Sequence, residues 1–114
     1  MKLKVYSFKN VKSTNDTALR FIKKNIINGI ITSENQKKGR GQYGKSWISY
    51  KGNLFMSIFF PIENKINIKK VSKINLKIIK NIFLKKIKIR ITVKYPNDIL
   101  IENKKVCGIL QEIV

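Results

Sequence analysis

A short glycine-rich segment, residues 39–47, holds the residues most suited to chemistry. It reads Gly-Arg-Gly-Gln-Tyr-Gly-Lys-Ser-Trp and contains three of the six glycines, two cations and the single tryptophan of the chain. Glycine lets the backbone take positive φ and brings bare N–H groups close to a ligand, and a neighbouring Arg and Lys make that ligand an anion. The segment therefore predicts a binding loop for a phosphate or a carboxylate.

The dinucleotide-binding fingerprint does not account for this segment. Gly39, Gly41 and Gly44 satisfy the spacing G-x-G-x-x-G and follow a predicted strand. A dinucleotide site also requires a helix that begins at the loop, because the pyrophosphate lies on the N-terminus of that helix. Residues 45–50 instead have the composition of a strand and are followed by Gly52. We therefore reject a Rossmann fold.

The cysteine and histidine content excludes several kinds of site. Cys107 is the only cysteine, so the chain has no internal disulfide and no metal site built from a cysteine cluster. The chain has no histidine, which excludes Ser-His and Cys-His catalysis and histidine-ligated metals. We expect no metal site formed by protein side chains alone.

The first half of the chain predicts three strands and one helix around the loop. Ser13, with Asp16 three residues later, resembles a capping box for a helix over residues 15–25. Apolar alternation, β-branched content and the stop at Pro61 indicate the strands. The strands are expected over residues 2–8, 30–33 and 54–60.

A long amphipathic helix is predicted over residues 67–86. Val71, Ile74, Ile78 and Ile82 form one helical stripe, with lysines on the opposite, solvated side. Three strands follow, and the last two form a hairpin. These strands are expected over residues 89–93, 99–101 and 105–114, with a polar turn at 102–104.

The predicted element order is β-α-β-β-α-β-β-β. This order predicts an α+β fold with a mixed β-sheet and helices packed on one side. At 114 residues the chain is long enough for a single core. No linker, internal repeat or composition break interrupts it, so we expect one domain over residues 1–114.

Composition limits the possible partners. The chain carries 25 Lys and Arg against six Asp and Glu, a net charge of +19, which taken alone favours a polyanion. However, Ile, Lys and Asn dominate everywhere, and only three arginines are available for base readout, so we expect no nucleic-acid partner. No apolar run approaches the roughly 20 residues of a membrane helix, and the N-terminus lacks the apolar segment of a signal peptide. We expect a cytoplasmic protein with no membrane partner.

Four motifs, taken together, resemble the catalytic domain of biotin protein ligases. They occur in the order and at the spacings of that family and extend over nearly the whole chain. In this sequence they are Ser13-Thr14-Asn15, then Gln36 with Gly39-Arg40-Gly41 and Gly44 to Trp47, then Lys94-Tyr95-Pro96-Asn97-Asp98, then Lys105-Val106-Cys107-Gly108-Ile109-Leu110. The last two stand where the family has Lys-Trp-Pro-Asn-Asp and Lys-x-x-Gly-Ile-Leu. Lipoate ligases share the fold and are the nearest competing enzymes.

This resemblance implies a two-step reaction that consumes ATP. The carboxylate of biotin would attack the α-phosphate of ATP to give biotinyl-5′-adenylate. A lysine in the biotin carboxyl carrier domain of acetyl-CoA carboxylase would then take the biotin. The first step brings two anions together, which calls for fixed cations and preorganised N–H groups, with Mg²⁺ accompanying the ATP.

The family pattern also implies a role for each matching residue. Lys105 would reach the carboxylate and the α-phosphate, and Arg40 would close over the intermediate, so these two are the implied catalytic residues. The implied biotin-binding residues are Ser13, Thr14, Asn15, Gln36, Gly39, Arg40, Gly41, Gln42 and Lys105. The implied ATP- or adenylate-binding residues are Arg40, Lys45, Trp47, Asn97 and Asp98.

Local structure offers a simpler explanation for several of these residues. Ser13 and Asp16 can serve only to cap a helix, and residues 96–98 have good turn chemistry without any ligand. Trp47 is suited to a core, and Lys105 taken alone is typical of an exposed hairpin. These explanations stay open beside the ligand-binding roles.

The chain departs from the family in two ways. Most members carry Arg where this chain has Gln42, so we predict faster loss of the adenylate unless Lys45 compensates for the missing charge. The catalytic domain of the family also continues beyond the Lys105 strand. We therefore expect an N-terminal portion of that domain, without a winged-helix DNA-binding domain or a C-terminal barrel. A catalytically weak or inactive homologue that binds biotin or the carrier protein is the alternative to an active ligase.

Overall fold

The computed structural model describes residues 2–114, which fall into two compact units. The first unit ends at Ile62, and the second extends from Glu63 to Val114. Each unit combines one α-helix with a three-stranded sheet, and the first also contains a two-stranded hairpin. The predicted α+β class is confirmed.

The first unit is built on a mixed sheet in the strand order β1-β2-β5. Strand β1 pairs with β2 in parallel, and β2 pairs with β5 in an antiparallel ladder. Helix α1 connects the two parallel strands, as such a crossover requires. The elements of this unit are β1 (Val5–Val11), α1 (Thr14–Lys23), β2 (Gly29–Gln36), β3 (Gly39–Arg40), β4 (Ser46–Trp47) and β5 (Phe55–Phe59).

Helix α1 covers one face of this sheet. Ala18 of the helix, Ile31 of β2 and Phe59 of β5 form the buried core. The Phe21 ring lies edge-on to Tyr6, with 4.7 Å between the ring centroids, a favoured aromatic arrangement. Side chains of β5 alternate strictly between buried and exposed, so only one face of this strand contributes to the core.

The parallel pairing of β1 and β2 determines where the polar motifs of the first unit meet. Val11, at the end of β1, pairs with Gln36, at the end of β2. The two strands therefore end at the same edge of the sheet, and the chain turns there into α1 and into the glycine-rich segment. This brings residues 13–16 beside Gln36 and the loop.

The second unit packs one helix on an antiparallel sheet in the order β6-β7-β8. Its core consists of Leu76 from the helix, Ile91 from the first of these strands and Ile99 from the second. The elements are α2 (Ile68–Lys86), β6 (Ile91–Lys94), β7 (Asp98–Ile101) and β8 (Lys104–Gly108). The predicted strand over residues 105–114 is thus shorter than expected, because it ends at Gly108.

The helical stripe predicted to face the core of α2 is not the stripe that does so. Ile74, Ile78 and Ile82 are each about half exposed, at 49%, 51% and 55%. The face on the sheet instead carries Leu76 at its centre, with Ile79 and Phe83 packed against the core. Both stripes have helical spacing, and the one that contains Phe83 packs on the sheet. Neither helix among residues 2–114 has both the length and the apolar character needed to cross a membrane.

Candidate active site

Ser13 caps helix α1 and is almost completely buried. Its Oγ accepts a hydrogen bond from the Asp16 N–H at 2.9 Å, and its backbone carbonyl accepts one from Thr17 Oγ1 at 3.0 Å. An N-cap serine satisfies one of the free N–H groups at a helix start. The predicted cap is confirmed, so the Ser13 hydroxyl already has a structural role.

The Gln36 side chain joins the start of α1 to the glycine-rich segment. Its Oε1 accepts hydrogen bonds from the backbone N–H of Thr14 at 2.8 Å and from Thr14 Oγ1 at 3.2 Å. Its Nε2 donates to Ser49 Oγ at 3.2 Å, and that hydroxyl donates to the carbonyl of Trp47 at 3.3 Å. The amide therefore uses both ends, and the orientation of its oxygen is fixed by the Thr14 N–H.

The glycine-rich segment folds as a tight hairpin of β3 and β4. Gly39 pairs with Trp47, and the Gly41 N–H donates to the carbonyl of Lys45 at 2.7 Å. A Cβ on Gly39 would lie 2.6 Å from the Trp47 carbonyl oxygen and 2.9 Å from Gln36 Nε2. Only glycine fits this close approach. At the tip, Tyr43 takes a φ of 54° and is 93% exposed, so the tip of the hairpin lies in solvent.

Residues 39–46 also spell G-x-x-x-x-G-K-S, which is the pattern of a P-loop. In a P-loop the phosphate lies at the start of a helix that begins at the lysine. Here Ser46–Trp47 is a strand, and the next helix begins at Ile68. The segment therefore has neither P-loop nor Rossmann structure.

Arg40 is tied to the first turn of α1. Its Nε donates to Asp16 Oδ1 at 2.9 Å, and its Nη2 lies 2.8 Å from the same oxygen. Both side chains are about one-third exposed, at 33% and 40%, so solvent screens the pair. Asp16 therefore positions the guanidinium beside the Ser13-Thr14-Asn15 motif, a role that the sequence did not reveal.

Ser57 is a further buried member of this cluster that no motif contains. Its Oγ lies 2.7 Å from Thr14 Oγ1 and is also hydrogen-bonded to Asn15 Oδ1. The serine lies on β5, more than 40 positions from its partners along the chain. Ser57 reaches these partners only because β5 pairs with β2 in the sheet that α1 covers.

In the second unit, Lys105 and Asp98 form an ion pair. Lys105 Nζ lies 2.9 Å from Asp98 Oδ1. Leu100 pairs with Lys105, whereas Ile99 pairs with Cys107, so Val106 is one extra residue in β8. Such a β-bulge turns the strand by one side-chain position. Without it Lys105 would oppose Ile101 and face the core, and with it Lys105 lies on the same face as Asp98.

Asn97 holds the chain just beyond β8. Its Nδ2 donates to the Ile109 carbonyl at 2.6 Å, and its own carbonyl accepts from the Ile109 N–H at 3.0 Å. Its Oδ1 is buried and has no hydrogen-bond partner among the described residues. Because the bond to Ile109 fixes the orientation of the amide, this oxygen is an acceptor and cannot donate.

Cys107 lies next to this ion pair. Burial raises the pKa of the thiol, and the charge of Asp98 raises it further, while the charge of Lys105 opposes both. The thiol therefore stays protonated and is a poor nucleophile near neutral pH. Within residues 2–114, no group of three or more His, Cys, Asp or Glu side chains could hold a metal ion.

Comparison with known proteins decides the family. The model of the biotin/lipoate A/B protein ligase family matches residues 7–114. The chain belongs to this family. The bifunctional ligase/repressor BirA of Bacillus spizizenii is 31% identical to it over 109 residues, and that of Escherichia coli is 30% identical over 105 residues. Each alignment covers 90% of this chain and 33% of the relative, so the chain spans about a third of their length.

Solved structures of biotin ligases share the fold. The biotin protein ligase from Aquifex aeolicus, in complex with biotin and ATP, gives a TM-score of 0.84 at 26% identity and covers 96% of this chain and 47% of that chain. The biotin acetyl coenzyme A carboxylase synthetase from Helicobacter pylori, with bound biotinylated ATP, gives 0.82 at 22% identity and covers 99% of this chain and 56% of that chain. The predicted resemblance is confirmed at the level of family and fold.

The two units of this family member divide the predicted site residues between them. Hydrogen bonds and one ion pair connect most of those in the first unit, whereas the Lys45 side chain is exposed. The first unit holds Ser13, Thr14, Asn15, Gln36, Gly39, Arg40, Gly41, Gln42, Lys45 and Trp47, and the second holds Asn97, Asp98 and Lys105. Sequence reasoning missed Ser49 and Ser57 altogether, and it missed the ion pair that Asp16 makes.

Proposed function

We propose that this chain is the part of a biotin protein ligase that binds biotin and ATP and forms biotinyl-5′-adenylate. Biotin would then pass to a lysine of the biotin carboxyl carrier domain of acetyl-CoA carboxylase. The proposal is carried by the double use of Gln36, whose amide joins the capped start of α1 to the glycine hairpin. Neutral donors and acceptors thus lie beside the Arg40 guanidinium. A ligand with an uncharged polar ring and a carboxylate tail suits this surface, and biotin has both.

Selectivity for such a ligand would come from the buried hydroxyl and amide groups. Ser13 and Thr14 are 2% and 5% exposed, and their partners are already arranged by α1 and Gln36. An analogue that covers these groups but cannot pair with their remaining donors and acceptors is rejected strongly. We therefore expect the first unit to recognise the ureido ring of biotin.

The first step would join two anions. An oxygen of the biotin carboxylate forms a bond to the α-phosphorus of ATP, the bond from that phosphorus to pyrophosphate breaks, and pyrophosphate leaves. Arg40 and Lys105 are the cations suited to stabilising the charge that builds up on the phosphoryl oxygens. The Lys105–Asp98 pair is partly exposed, so it costs little to replace Asp98 with a more highly charged phosphate.

Asp98 and Asn97 suit different parts of the nucleotide. Mg²⁺ usually binds through one or two carboxylates together with the substrate phosphates, and Asp98 is the carboxylate available beside Lys105. Bound with ATP, the ion would neutralise phosphate charge. The Oδ1 of Asn97 is an acceptor, so it suits a donor such as a ribose hydroxyl and not a phosphate oxygen; because this atom is buried, a ligand reaches it only if the surrounding chain moves.

In the second step the carrier lysine would attack the acyl carbon of the adenylate. The new C–N bond forms, the bond between the acyl carbon and the phosphate oxygen breaks, and AMP leaves while the amine loses its proton. AMP leaves as a stable anion, so the second step needs less help from the protein. Arg40 would hold the phosphate until it leaves.

Biotin-dependent exchange of pyrophosphate into ATP tests this proposal. We expect exchange in the wild-type chain. In Lys105→Ala we expect the exchange rate to fall about 100-fold or more, because the variant lacks a cation that stabilises the negative charge of the transition state. Lys104→Ala is the matched control, since Lys104 is the adjacent exposed lysine of the same strand. We expect this control to retain exchange within about twofold.

Two other outcomes would contradict the proposal and favour the alternatives. Exchange that depends on lipoate rather than on biotin would indicate a lipoate ligase. Folded chain that binds biotin without any exchange would indicate a binding module that has lost the chemistry. Biotin titration by calorimetry separates this second outcome from a chain that binds neither substrate.

A further inference from the structure

Ser57 occupies a position that a core residue would normally fill. Phe55, Ser57 and Phe59 are the buried residues of β5, and Met56 and Ile58 between them are exposed. Its two neighbours on this face are thus large aromatic residues, whereas Ser57 is small, polar and 7% exposed. A buried hydroxyl needs hydrogen-bond partners. Both of its partners belong to the motif at the start of α1.

The number of hydroxyl protons limits how Ser57, Thr14 and Asn15 can hydrogen-bond to one another. A hydroxyl carries one proton, so Ser57 cannot donate to Thr14 and to Asn15 at once. If Ser57 donates to Asn15 Oδ1, the Thr14 hydroxyl can donate to Ser57 Oγ. If Ser57 donates to Thr14 instead, the Thr14 proton goes to Gln36 Oε1, and the Asn15 amide must turn its Nδ2 toward Ser57.

Both arrangements pass through the same atom, Ser57 Oγ. This atom contacts two adjacent motif residues, and through Thr14 it reaches Gln36 and the glycine hairpin. The hydroxyl therefore limits which way the Thr14 proton and the Asn15 amide can point. A methyl group at this position would remove the limit and leave a buried donor or acceptor without its partner.

We propose that Ser57 is a positioning residue for the ligand site, which orders the Thr14 hydroxyl and the Asn15 amide before biotin binds. That biotin is the ligand rests on the function proposed above, whereas the ordering itself does not. Ser57 belongs to none of the motifs, and it acts through Thr14 and Asn15. Ordered donors and acceptors bind a ligand more tightly because less freedom is lost on binding.

Nuclear magnetic resonance of the free chain tests the ordering without any ligand. In Ser57→Ala we expect the side-chain amide signals of Asn15 to shift, and the Thr14 N–H to exchange with solvent about tenfold faster. Ser57→Thr keeps a hydroxyl and should stay within about twofold of wild type. Ser33→Ala is the matched control, because Ser33 is similarly buried in the same sheet, but its hydroxyl donates to the carbonyl and accepts from the N–H of nearby Asn35.

The outcomes of this measurement decide the ordering in either direction. Unchanged Asn15 and Thr14 signals in Ser57→Ala would overturn it. An equal change in Ser33→Ala would also overturn it, since any lost hydroxyl in the sheet would then suffice. Circular dichroism of each variant establishes that the chain is folded where the signals are compared.

Biotin titration of the same variants tests the link to the ligand. We expect the Kd to rise about tenfold in Ser57→Ala, to return to within about threefold in Ser57→Thr, and to remain unchanged in Ser33→Ala. An unchanged Kd in a Ser57→Ala chain whose amide signals have shifted would overturn the link. A wild-type chain that binds no biotin would refute the proposed function instead. The Asn15 amide signals and the Thr14 N–H exchange would still decide the ordering.

Discussion

The buried cluster at the start of α1 and the Asp98–Lys105 pair of the second unit are held by different kinds of interaction. In the first, Ser13, Thr14 and Ser57 are 2%, 5% and 7% exposed, and neutral hydroxyl and amide groups join them to their partners. In the second, the Asp98 and Lys105 side chains are 24% and 40% exposed and are joined by charge. Burial fixes the geometry of one motif, whereas the other keeps its cation within reach of solvent.

This difference separates two physical requirements. A buried hydrogen-bond network is directional and costly to disturb, because each group left unpaired loses about 1–3 kcal/mol. An exposed ion pair contributes about 0.2–1 kcal/mol and weakens as salt is added. The first unit is therefore suited to recognising shape and polarity, and the second to meeting a changing negative charge.

The chain provides one natural reporter for each unit. Trp47 is its only tryptophan and lies in the first unit, and Cys107 is its only cysteine and lies in the second. Tryptophan fluorescence and thiol labelling, each followed against denaturant, measure the two units in the same sample.

The largest effect is expected from Gly39→Ala. The new Cβ would lie 2.6 Å from the Trp47 carbonyl, a backbone atom that cannot move without opening the hairpin. We expect a loss of about 2 kcal/mol from the free energy of unfolding measured by Trp47 fluorescence. In Gly41→Ala the Cβ would meet nothing closer than 3.6 Å, so its stability should stay near wild type. Equal stability of the two variants would contradict the close-approach argument.

Gln36→Leu should have the next largest effect. The change leaves the Thr14 N–H without its acceptor and Ser49 without its donor, which costs about 1–3 kcal/mol. Because the groups are neutral, we expect the same loss at low and at high salt, as measured by Trp47 fluorescence. Asn35→Leu is the control, since its side chain bonds only Asn10 at the surface. A loss that fades with salt would show that charge, and not hydrogen bonding, accounts for the contribution of Gln36.

Gln42→Arg tests whether the hairpin of the first unit lacks a cation that would retain the adenylate. If the chain forms the adenylate, an added guanidinium at this position should retain it and reduce its escape a few-fold. Trapping of released adenylate with hydroxylamine measures the escape. Escape from the wild type no greater than from Gln42→Arg would contradict the prediction that Gln42 weakens retention.

Asp98→Asn should change stability by less than about 1 kcal/mol. The ion pair with Lys105 is partly exposed, so the loss should shrink as salt is added. Denaturant-dependent labelling of Cys107, scored by the denaturant midpoint and not by the labelling rate, measures it. Glu102→Gln removes a nearby negative charge at the β7–β8 turn and should leave the labelling curve unchanged. A loss as large as that of Gln36→Leu would remove the contrast between the units.

The smallest effect concerns the pKa of Cys107. Burial raises this pKa, Asp98 raises it further and Lys105 lowers it. Asp98→Asn should therefore move the pH of half-maximal alkylation down, and Lys105→Met should move it up, because the thiolate is the reactive form. Shifts of the same sign in both variants would contradict this. The folded thiol holds its proton longer than the unfolded one, so its contribution to stability is lost as pH rises through the raised pKa.

Local signals in the sequence predicted the elements of the fold well. The Ser13 cap, the strand ending before Pro61 and the extent of α2 depend on residues close together in the chain, and each is confirmed. The prediction of which stripe of α2 faces the core was wrong. Its sequence carries apolar residues on two stripes at helical spacing, and only the sheet beneath it decides which stripe is buried.

Partnerships across long sequence distances could not be predicted. Ser57 is one serine in an apolar strand, and nothing in its spacing points to Thr14 or Asn15. Asp16 was assigned to the helix cap because its partner Arg40 lies in a different element. In both cases the strand pairing creates the contact, and pairing depends on the whole sheet.

The bulge at Val106 makes the direction of Lys105 a matter of counting. In a regular strand, two residues separated by one other lie on the same face. Lys105 and Cys107 are separated by Val106, but the bulge leaves Val106 outside the ladder, so Lys105 and Cys107 lie on opposite faces. The face on which Lys105 lies therefore depends on the backbone conformation at Val106 and not on the type of its side chain. Deletion of Val106 would close the bulge and leave Lys105 opposite Leu100, whereas bringing Val106 into the regular ladder would place Lys105 opposite Ile101 on the core face.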